Sequence, residues 1–461
     1  MKRKIEEFDV IVIGSGGGMK IAVPAVEMGL KTLLIEKGSL GGTCLNRGCI
    51  PSKMLIYPGE FLRECRRAGR LDLEVAPRAV RFSELTQRIE KTIAETSGRI
   101  EKMLAGMELL ELVRAPARFV GERLIEADDR RFRGKKIFVA TGSRPRLPPI
   151  EGLDRVPCWT STEALRAREL PRRLLVIGGG FIACELGDAY SAFGSEVSFV
   201  APVGLIDRQD EDIREEFVRV FSRHNTIYDG AAVRRVSREG WEFRTELELA
   251  GGKSLVVASD AVLVAAGVVP DTAGLGLPEA GIGVNRQGFI EVDDNLATAA
   301  EGVYAFGDCI GNYMFRHSVN FEGEYLVRSA LEGDRRPIRY YPVPSAMFSW
   351  PEVAGVGKLE KELERDGVEY VRGWTDYPTS NAGIARRIDH GFVKILVGSR
   401  DRRLLGAHIV GPEASDMIHT FIALLYMNAD LDDLLRLIYI HPALPELIRD
   451  AARAAAEQLK A

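Results

Sequence analysis

Cysteine is scarce in this chain, with six residues in 461. That scarcity excludes the disulfide scaffold of a small secreted domain. Charge of one sign is also missing in excess: 62 Lys plus Arg stand against 66 Asp plus Glu, for a net charge of −4. Such a balance gives no footprint for nucleic acid or an anionic membrane surface. No uninterrupted apolar stretch approaches the ~20 residues of a membrane span, and Ala261 to Pro270 is near the longest. The start, Met1-Lys2-Arg3-Lys4-Ile5-Glu6-Glu7, mixes charges and runs into an apolar strand, without the layout of a signal peptide. The expectation is a soluble, cytoplasmic protein of about three domains at ~150 residues each. In a reducing cytosol a disulfide is more often redox-active than structural.

What is present begins with two nucleotide-binding patterns. Phe8 to Ile13 is a short apolar run ending in Gly14-Ser15-Gly16-Gly17-Gly18, followed by a helix from about Met19 to Met28 and a strand from Lys31 to Ile35 ending in Glu36. Gly14 and Gly16 permit a tight turn and let backbone amides approach a pyrophosphate at the positive end of the helix. The third position of this fingerprint, usually Gly or Ala for close helix–strand packing, holds Met19. Glu36 is placed to accept both hydroxyls of an adenosine ribose. A second unit starts at Leu174 and carries Gly178, Gly180 and Ala183, with Glu185 on its helix and a strand from Glu196 to Val200. Its ribose acid is missing, because the strand ends Phe199-Val200-Ala201-Pro202, and no adjacent arginine pair awaits a 2′-phosphate. The plainer reading of the first unit is an ordinary strand–helix turn, and of the second a degenerate unit that binds nothing.

Between the two units, the spacing predicts a helical stretch from Glu84 to Leu112 broken near Gly98 and Gly106, then a buried strand over Lys136 to Gly142. Gly302 to Asp308 reads as another strand ending in an acid. Beyond the proline-rich joint Tyr341-Pro342-Val343-Pro344, mixed strands (Phe392 to Val397, Leu404 to Val410) and helices (Ala414 to Met427, Leu431 to Leu437, Leu447 to Leu459) predict a separate α+β domain.

The segment Gly41-Gly42-Thr43-Cys44-Leu45-Asn46-Arg47-Gly48-Cys49-Ile50-Pro51-Ser52-Lys53 is the most informative in the chain. Residues five apart on a regular helix point about 140° away from each other, and their Cα atoms lie beyond the ~7 Å that a disulfide spans. Pairing Cys44 with Cys49 therefore requires a local bend, which Gly48 permits. Pro51 suits the first turn of a helix through Ser52-Lys53-Met54-Leu55, whose positive end favours a thiolate. Two buried thiols or half a metal site are the alternatives. The other cysteines, Cys65, Cys158, Cys184 and Cys309, are scattered singly and read as small core residues, so no metal site is expected. Five of the six histidines carry no special context. His441 lies in Ile440-His441-Pro442-Ala443-Leu444-Pro445-Glu446, where two prolines stiffen the segment and Glu446 can orient the imidazole as a base.

Taken in order along the chain, these pieces resemble the flavoprotein disulfide reductases. The resemblance also takes in Ala140-Thr141-Gly142, Gly307-Asp308 and the run from Phe348 to Gly357. It implies an α/β fold with two Rossmann-like dinucleotide-binding domains and a C-terminal α+β dimerisation domain. The implied bounds are 1–150 for FAD, with 273–342 returning to it as a central region, 151–272 for NAD(P), and 343–461 for the interface domain. Gly14, Ser15, Gly16, Glu36, Lys37, Gly42, Thr43, Ala115, Thr141, Gly142, Asp308 and Gly267 would contact the nucleotides or flavin. Lys53 would lie near flavin N5 and pair with Glu185. Gly178, Gly180, Phe181 and Ile182 would carry NAD(P), with Phe181 as a gate. Cys49 would be the charge-transfer thiol and Cys44 the exchanging one, forming a redox-active disulfide. His441 and Glu446 would come from the second copy of a homodimer whose active sites cross the interface.

Within that family, Cys-Leu-Asn-Arg-Gly-Cys-Ile-Pro-Ser-Lys and Met314-Phe315-Arg316-His317 are similar to dihydrolipoamide dehydrogenases, whereas Ile-His-Pro-Ala-Leu-Pro-Glu resembles mycothione reductases. Mercuric reductases carry a C-terminal cysteine pair, which Glu457-Gln458-Leu459-Lys460-Ala461 lacks. The implied activity is electron transfer from dihydrolipoamide, free or on a lipoyl domain, through the disulfide and FAD to NAD⁺, with NADP not excluded. The alternatives are an NAD(P)H-dependent reductase of a low-molecular-weight disulfide and an electron-carrying flavoprotein subunit without disulfide turnover. Arg47, where the family usually has Val, and Leu55 to Glu60 border the pocket that would discriminate substrates.

Overall fold

The computed structural model describes residues 4–334 and 336–460. The expected opening Met1-Lys2-Arg3, Arg335 in the expected central region, and Ala461 at the expected end of the last domain lie outside the described residues. The chain divides into two compact units. Met1–Ser52, Thr86–Arg146 and Gly267–Arg339 form the first; Lys53–Leu85, Leu147–Ala266 and Tyr340–Ala461 form the second.

The first unit is built on a seven-stranded sheet. Leu110–Val113, Thr32–Ile35, Ile5–Ile13 and Arg130–Val139 lie side by side in parallel, with Val10 opposite both Thr32 and Lys136. The long strand Arg130–Val139 divides its outer edge between two partners: Leu124–Ala127 pairs antiparallel with its beginning, and Val303–Ala305 pairs parallel with its end. The parallel strands read as continuous apolar runs because both faces are covered; Val10, Ile11, Leu33, Ile137 and Phe138 are all fully buried.

Two features differ from the sequence expectation in this region. The helix Phe82–Ala105 runs unbroken through Gly98, where an added Cβ would meet nothing within 4 Å. A single glycine costs a helix only about 1 kcal/mol, less than its amphipathic face recovers by packing. Leu110–Val113 is a strand rather than the end of that helix, because it supplies the edge partner for Thr32–Ile35.

The second unit holds three sheets. A parallel sheet orders Thr226–Asp229, Glu196–Ala201, Arg173–Ile177 and Ala261–Val264. An antiparallel meander follows, Ala232–Glu239, Glu242–Glu248 and Ser254–Ser259. The C-terminal block is a five-stranded antiparallel sheet, Ser345–Met347, Val353–Gly357, Leu404–Val410, Phe392–Gly398 and Tyr370–Asp376. Helices Ala414–Tyr426 and Glu446–Gln458 cover it through Phe421, Ile418, Leu447 and Ala451. Helix Cys49–Arg66 carries the chain from the first unit into the second. Among the described residues, no helix is long and apolar enough to cross a membrane.

Candidate active site

In the first unit, strand Ile5–Ile13 delivers the chain to Gly14 at φ 98°, where a Cβ would lie 2.4 Å from the Ala140 carbonyl oxygen. Only glycine fits there. The packing role expected at the third fingerprint position falls one residue earlier than Met19. A Cβ on Gly18 would lie 2.0 Å from the Gly14 oxygen and 2.4 Å from Val12 Cγ1, so Gly18 brings the helix onto the strand and Met19 merely begins it. That helix, Met19–Glu27, has no side-chain cap at its start, leaving its first amides open to an anion. Gly42 approaches the same turn so closely that a Cβ would lie 2.6 Å from Gly16 Cα.

Glu36 ties this cradle together. Its Oε2 accepts from the Ser15 amide (2.8 Å) and hydroxyl (2.7 Å), and its Oε1 accepts from the Gly38 amide at 2.6 Å. The Ser15 hydroxyl oxygen in turn accepts from the Gly41 amide. A carboxylate offers about four acceptor positions, so Oε1 keeps capacity for a ribose hydroxyl. Thr141 Oγ1 is buried without a hydrogen-bond partner, and buried hydroxyls are seldom left so unless a ligand completes them. Ser143 donates to Asp308 Oδ2 at 2.6 Å, and burial holds the Asp308 carboxyl above the usual range. Gly142 and Gly267 both adopt positive φ. Ala115 is part of the core, and Lys37 is paired with Asp271 at 2.7 Å. The glycine cradle, the uncapped helix and the orphaned Thr141 hydroxyl fit a dinucleotide such as FAD.

The cysteine segment sits beside this turn in sequence. Thr43 and Cys44 lie on the helix Gly42–Arg47, Gly48 interrupts it at φ −140°, ψ −118°, and Cys49 opens helix Cys49–Arg66. The interruption is the local bend that pairing requires. A Cβ on Gly48 would lie 3.3 Å from Cys44 Cα and 3.0 Å from the Thr43 oxygen, so the missing side chain lets the chain fold back on the residue it must reach. Asn46 Nδ2 secures the short helix by donating to the Leu40 and Gly42 carbonyls, both at 2.9 Å. Both sulfurs belong to half-buried residues, and Cys49 stands where the helix's positive end favours thiolate over thiol. Burial acts on the thiols of three other cysteines. Burial pushes Cys158 up to about 11 and Cys309 up to about 12, and raises Cys184 as well. The rise disfavours their thiolate forms.

In the second unit, Gly178 takes φ 134° with its absent Cβ facing the Ala265 oxygen. Gly180 begins helix Phe181–Phe193 without a side-chain cap, and an added Cβ there would meet nothing within 4 Å. The turn is therefore open where a phosphate must approach. Ile182 is exposed, and Ala201 is fully buried beneath Gly179, so no acid stands at that strand's end.

One turn into the same helix, Glu185 Oε2 accepts from Lys53 Nζ at 2.7 Å while its Oε1 accepts from the Phe348 amide at 3.1 Å. The ammonium also lies 4.2 Å from the Phe348 ring centre. Burial raises the Glu185 carboxyl and Lys53 opposes the rise. Sequence reasoning missed two neighbours. Arg63 makes a bidentate pair with Asp188 at 2.7 and 2.9 Å, both side chains buried, and Asp188 Oδ2 also accepts from the Trp350 amide. Glu60 is pushed up to about 7, first by burial and then by Glu352, Asp188 and Glu185. Residues 53, 60 and 63 recur on one face of helix Cys49–Arg66, a 3.6-residue signal available in the sequence.

His441 Nδ1 meets both Glu446 oxygens at 3.1 Å, while the imidazole remains largely exposed. The Ala443 amide and Arg449 also bind that carboxylate, and the bond from His441 leads the causes holding it below its ordinary range. Glu446 opens helix Glu446–Gln458, whose positive end favours its charge. This is an oriented imidazole with its second nitrogen available for proton transfer. Asp210, Asp212 and Glu360 could in principle hold a cation. The fully buried Lys394 ammonium occupies that position, at 3.0, 2.7 and 2.9 Å from the three carboxylates.

Two open glycine turns, two half-buried cysteines flanking Gly48 and an oriented histidine are the candidate site features. Residues 8–323 match the family model for pyridine nucleotide-disulphide oxidoreductases, and residues 343–452 match the dimerisation domain of the same family. Among curated relatives, a leghemoglobin reductase of Glycine max is 34% identical over 97% of this chain and 88% of its own length. Dihydrolipoyl dehydrogenases of Thermus scotoductus (33%, 98% of each chain) and Geobacillus stearothermophilus (30%, 97% of this chain and 96% of its own) are similar throughout. The Cu(II) complex of the HOCl-induced flavoprotein disulfide reductase RclA from Escherichia coli superposes with a TM-score of 0.88 at 26% identity, covering 97% of this chain and 99% of that one. The chain belongs to the pyridine nucleotide-disulphide oxidoreductase family and is an FAD-dependent enzyme of that class.

Proposed function

We propose that this enzyme is a dihydrolipoamide dehydrogenase: it oxidises a small dithiol through Cys44 and Cys49 and passes the electrons to NAD⁺. The observation that carries the reading is the Gly48 interruption, which folds the chain back on Cys44 and starts a helix at Cys49. Support for the lipoamide assignment comes from relatives of that name, aligned over nearly the whole chain. Bound FAD supplies a two-electron relay between thiol and nicotinamide chemistry. Gly14, Ser15, Gly16, Glu36, Gly42 and Thr141 would hold it, and Gly178, Gly180, Phe181 and Ile182 would hold the nicotinamide nucleotide.

The protein's own steps begin with His441 removing a proton from one substrate thiol. The thiolate attacks Cys44 Sγ, forming a mixed disulfide and breaking the bond to Cys49, which leaves as thiolate at the helix start. The second substrate sulfur, deprotonated in turn, attacks the first. A cyclic disulfide departs, and Cys44 is released with both electrons now on the cysteine pair. Lys53, fixed by Glu185, would supply a cation beside the flavin. The dimerisation-domain match supports a homodimer in which His441 of one copy serves the cysteines of the other. A cytoplasmic location is consistent with this chemistry.

A second reading, an NAD(P)H-dependent reductase of a low-molecular-weight disulfide, is favoured by the likeness to a flavoprotein disulfide reductase and by the empty ribose-acid position at Ala201. Steady-state kcat/KM for dihydrolipoamide with NAD⁺ or NADP⁺, set against mycothiol, glutathione, coenzyme A and bacillithiol disulfides with NADH or NADPH, decides between them. The lipoamide assignment predicts the highest value for dihydrolipoamide with NAD⁺. A larger value for any of the disulfides overturns it. Cys44→Ser is predicted to abolish turnover of every thiol substrate while keeping FAD and the reduction of artificial acceptors; normal thiol turnover in that variant would dismiss the cysteine assignment.

A further inference from the structure

The second unit gathers guanidinium groups that the redox reading does not use. Arg66, Arg67, Arg70 and Arg387, with Gly69 and Asp389, line an open cleft of about 390 Å³. Helix Cys49–Arg66 ends in the first, Arg67 follows it, and the turn Ala68–Leu71 carries Arg70. Arg387, left-handed at φ 51° where helix Asn381–Arg386 ends, supplies the fourth.

The counter-charge around them is already shared. Asp389 serves Arg67 at 3.0 Å, Arg223 at 2.8 Å and His390 Nδ1 at 2.7 Å. Glu64 serves Arg70 at 2.6 Å and Arg67 at 3.9 Å. Arg387 reaches the exposed Asp72, at 3.9 Å, and Arg66 donates to the Ala192 carbonyl. Among the described residues that line the cleft, four are arginines and one, Asp389, is an acid. Two further observations point to a missing anion. Arg70 Nε is buried without a hydrogen-bond partner, and the Arg67 guanidinium is held below its ordinary proton affinity first by burial and then by the charge of Arg70. The cluster is also pre-organised: the Arg67 guanidinium lies 4.5 Å from the Trp350 ring centre, with Arg63 and Arg223 beside the same ring.

Planar forks converging on one cleft match the oxygens of a phosphate, which arginine binds in bidentate fashion. The volume falls in the range of small-molecule sites, larger than a bare ion needs. We propose that this cleft binds the phosphate group of a small phosphorylated ligand, with Arg70 and Arg387 as its principal contacts. None of the lining residues is among those assigned to the nucleotide turns, and the inference does not depend on the substrate assignment.

The test is calorimetric titration of the FAD-loaded full chain with inorganic phosphate and with inorganic pyrophosphate, at ionic strength held constant with chloride. Saturable binding of one anion per chain is expected. It should weaken at least tenfold in Arg387→Gln and in Arg70→Gln and stay unchanged in Arg400→Gln, a surface arginine outside the cleft. Arg387 is largely exposed, so its replacement leaves folding intact and remains decisive if the Arg70 variant fails to fold. Absence of saturable binding overturns the proposal. So does an unchanged affinity in Arg387→Gln, which would assign the anion to a nucleotide turn, or equal weakening in Arg400→Gln, which would reduce the effect to general charge.

Discussion

Glu60 offers a perturbation whose sign reverses intuition about surface-rich helices. Gly59 draws helix Cys49–Arg66 against helix Phe181–Phe193, where an added Cβ would lie 3.2 Å from Ala192 Cβ. That approach leaves the next residue, Glu60, partly buried among carboxylates. Burial first, then the charges of Glu352, Asp188 and Glu185, push its carboxyl from an ordinary 4.5 up to about 7, against the pull of Arg63. The folded protein therefore keeps this proton over a range where the unfolded chain has lost it. Stability from this group is present below pH ~4.5, falls as pH rises and is gone above pH ~7. At ~1.4 kcal/mol per pH decade the ceiling is about 3 kcal/mol, and solvent screening at a partly exposed site reduces it to about 1–2 kcal/mol. Glu60→Gln removes the titration while keeping shape. The FAD-loaded variant is expected to match the native protein near pH 5 and to exceed it at pH 8, by about 2–6 °C in melting temperature. Paired thermal unfolding at the two pH values, followed by fluorescence, measures this. A variant no more stable at pH 8, or shifted equally at both, refutes the reasoning.

His441→Gln is expected to slow thiol–disulfide exchange by about 10²–10⁴-fold with unchanged FAD content; stopped-flow reduction by dihydrolipoamide reads it, and an unaltered rate removes the base role. Arg63→Met and Asp188→Asn should each destabilise by about 3–5 kcal/mol, since either leaves its partner charged and buried, whereas the double variant should recover most of the loss. Additive losses in urea unfolding would show that the pair is not coupled. Thr141→Val is expected to stabilise the FAD-free protein by about 1 kcal/mol, because it removes an unpartnered buried hydroxyl, while weakening FAD retention. Equal FAD affinity in the two proteins would mean that this oxygen does not face the cofactor.

The limits of reading the chain alone show at particular residues. Gly98 looked like a helix breaker and is not one, because tertiary burial of the neighbouring helical face outweighs a local propensity. Leu110–Val113 has too few residues to announce its period, and only the edge of the first sheet made it a strand. Met19 holds the third fingerprint position, yet Gly18, visible in the same glycine run, performs the close packing. The first unit's cradle was largely legible, since positive φ, uncapped amides and near contact are demands that one short segment must meet with its own residues. The same is true of the Gly48 hinge and of the five-residue step from His441 to Glu446.

What the amino-acid order determined by itself was therefore the set of local backbone solutions: two strand–glycine–helix turns, a bent pair of cysteines, and an imidazole next to its carboxylate. Tertiary structure alone decided which distant charges share a volume. It put Arg63 against Asp188, Lys394 among three acids, Glu60 beside carboxylates that raise it, and more arginines than acids around one cleft. The physical reason is that a turn's geometry is a short-range steric matter, whereas the balance of buried charge depends on which helices and strands pack together, and packing is a property of the whole fold.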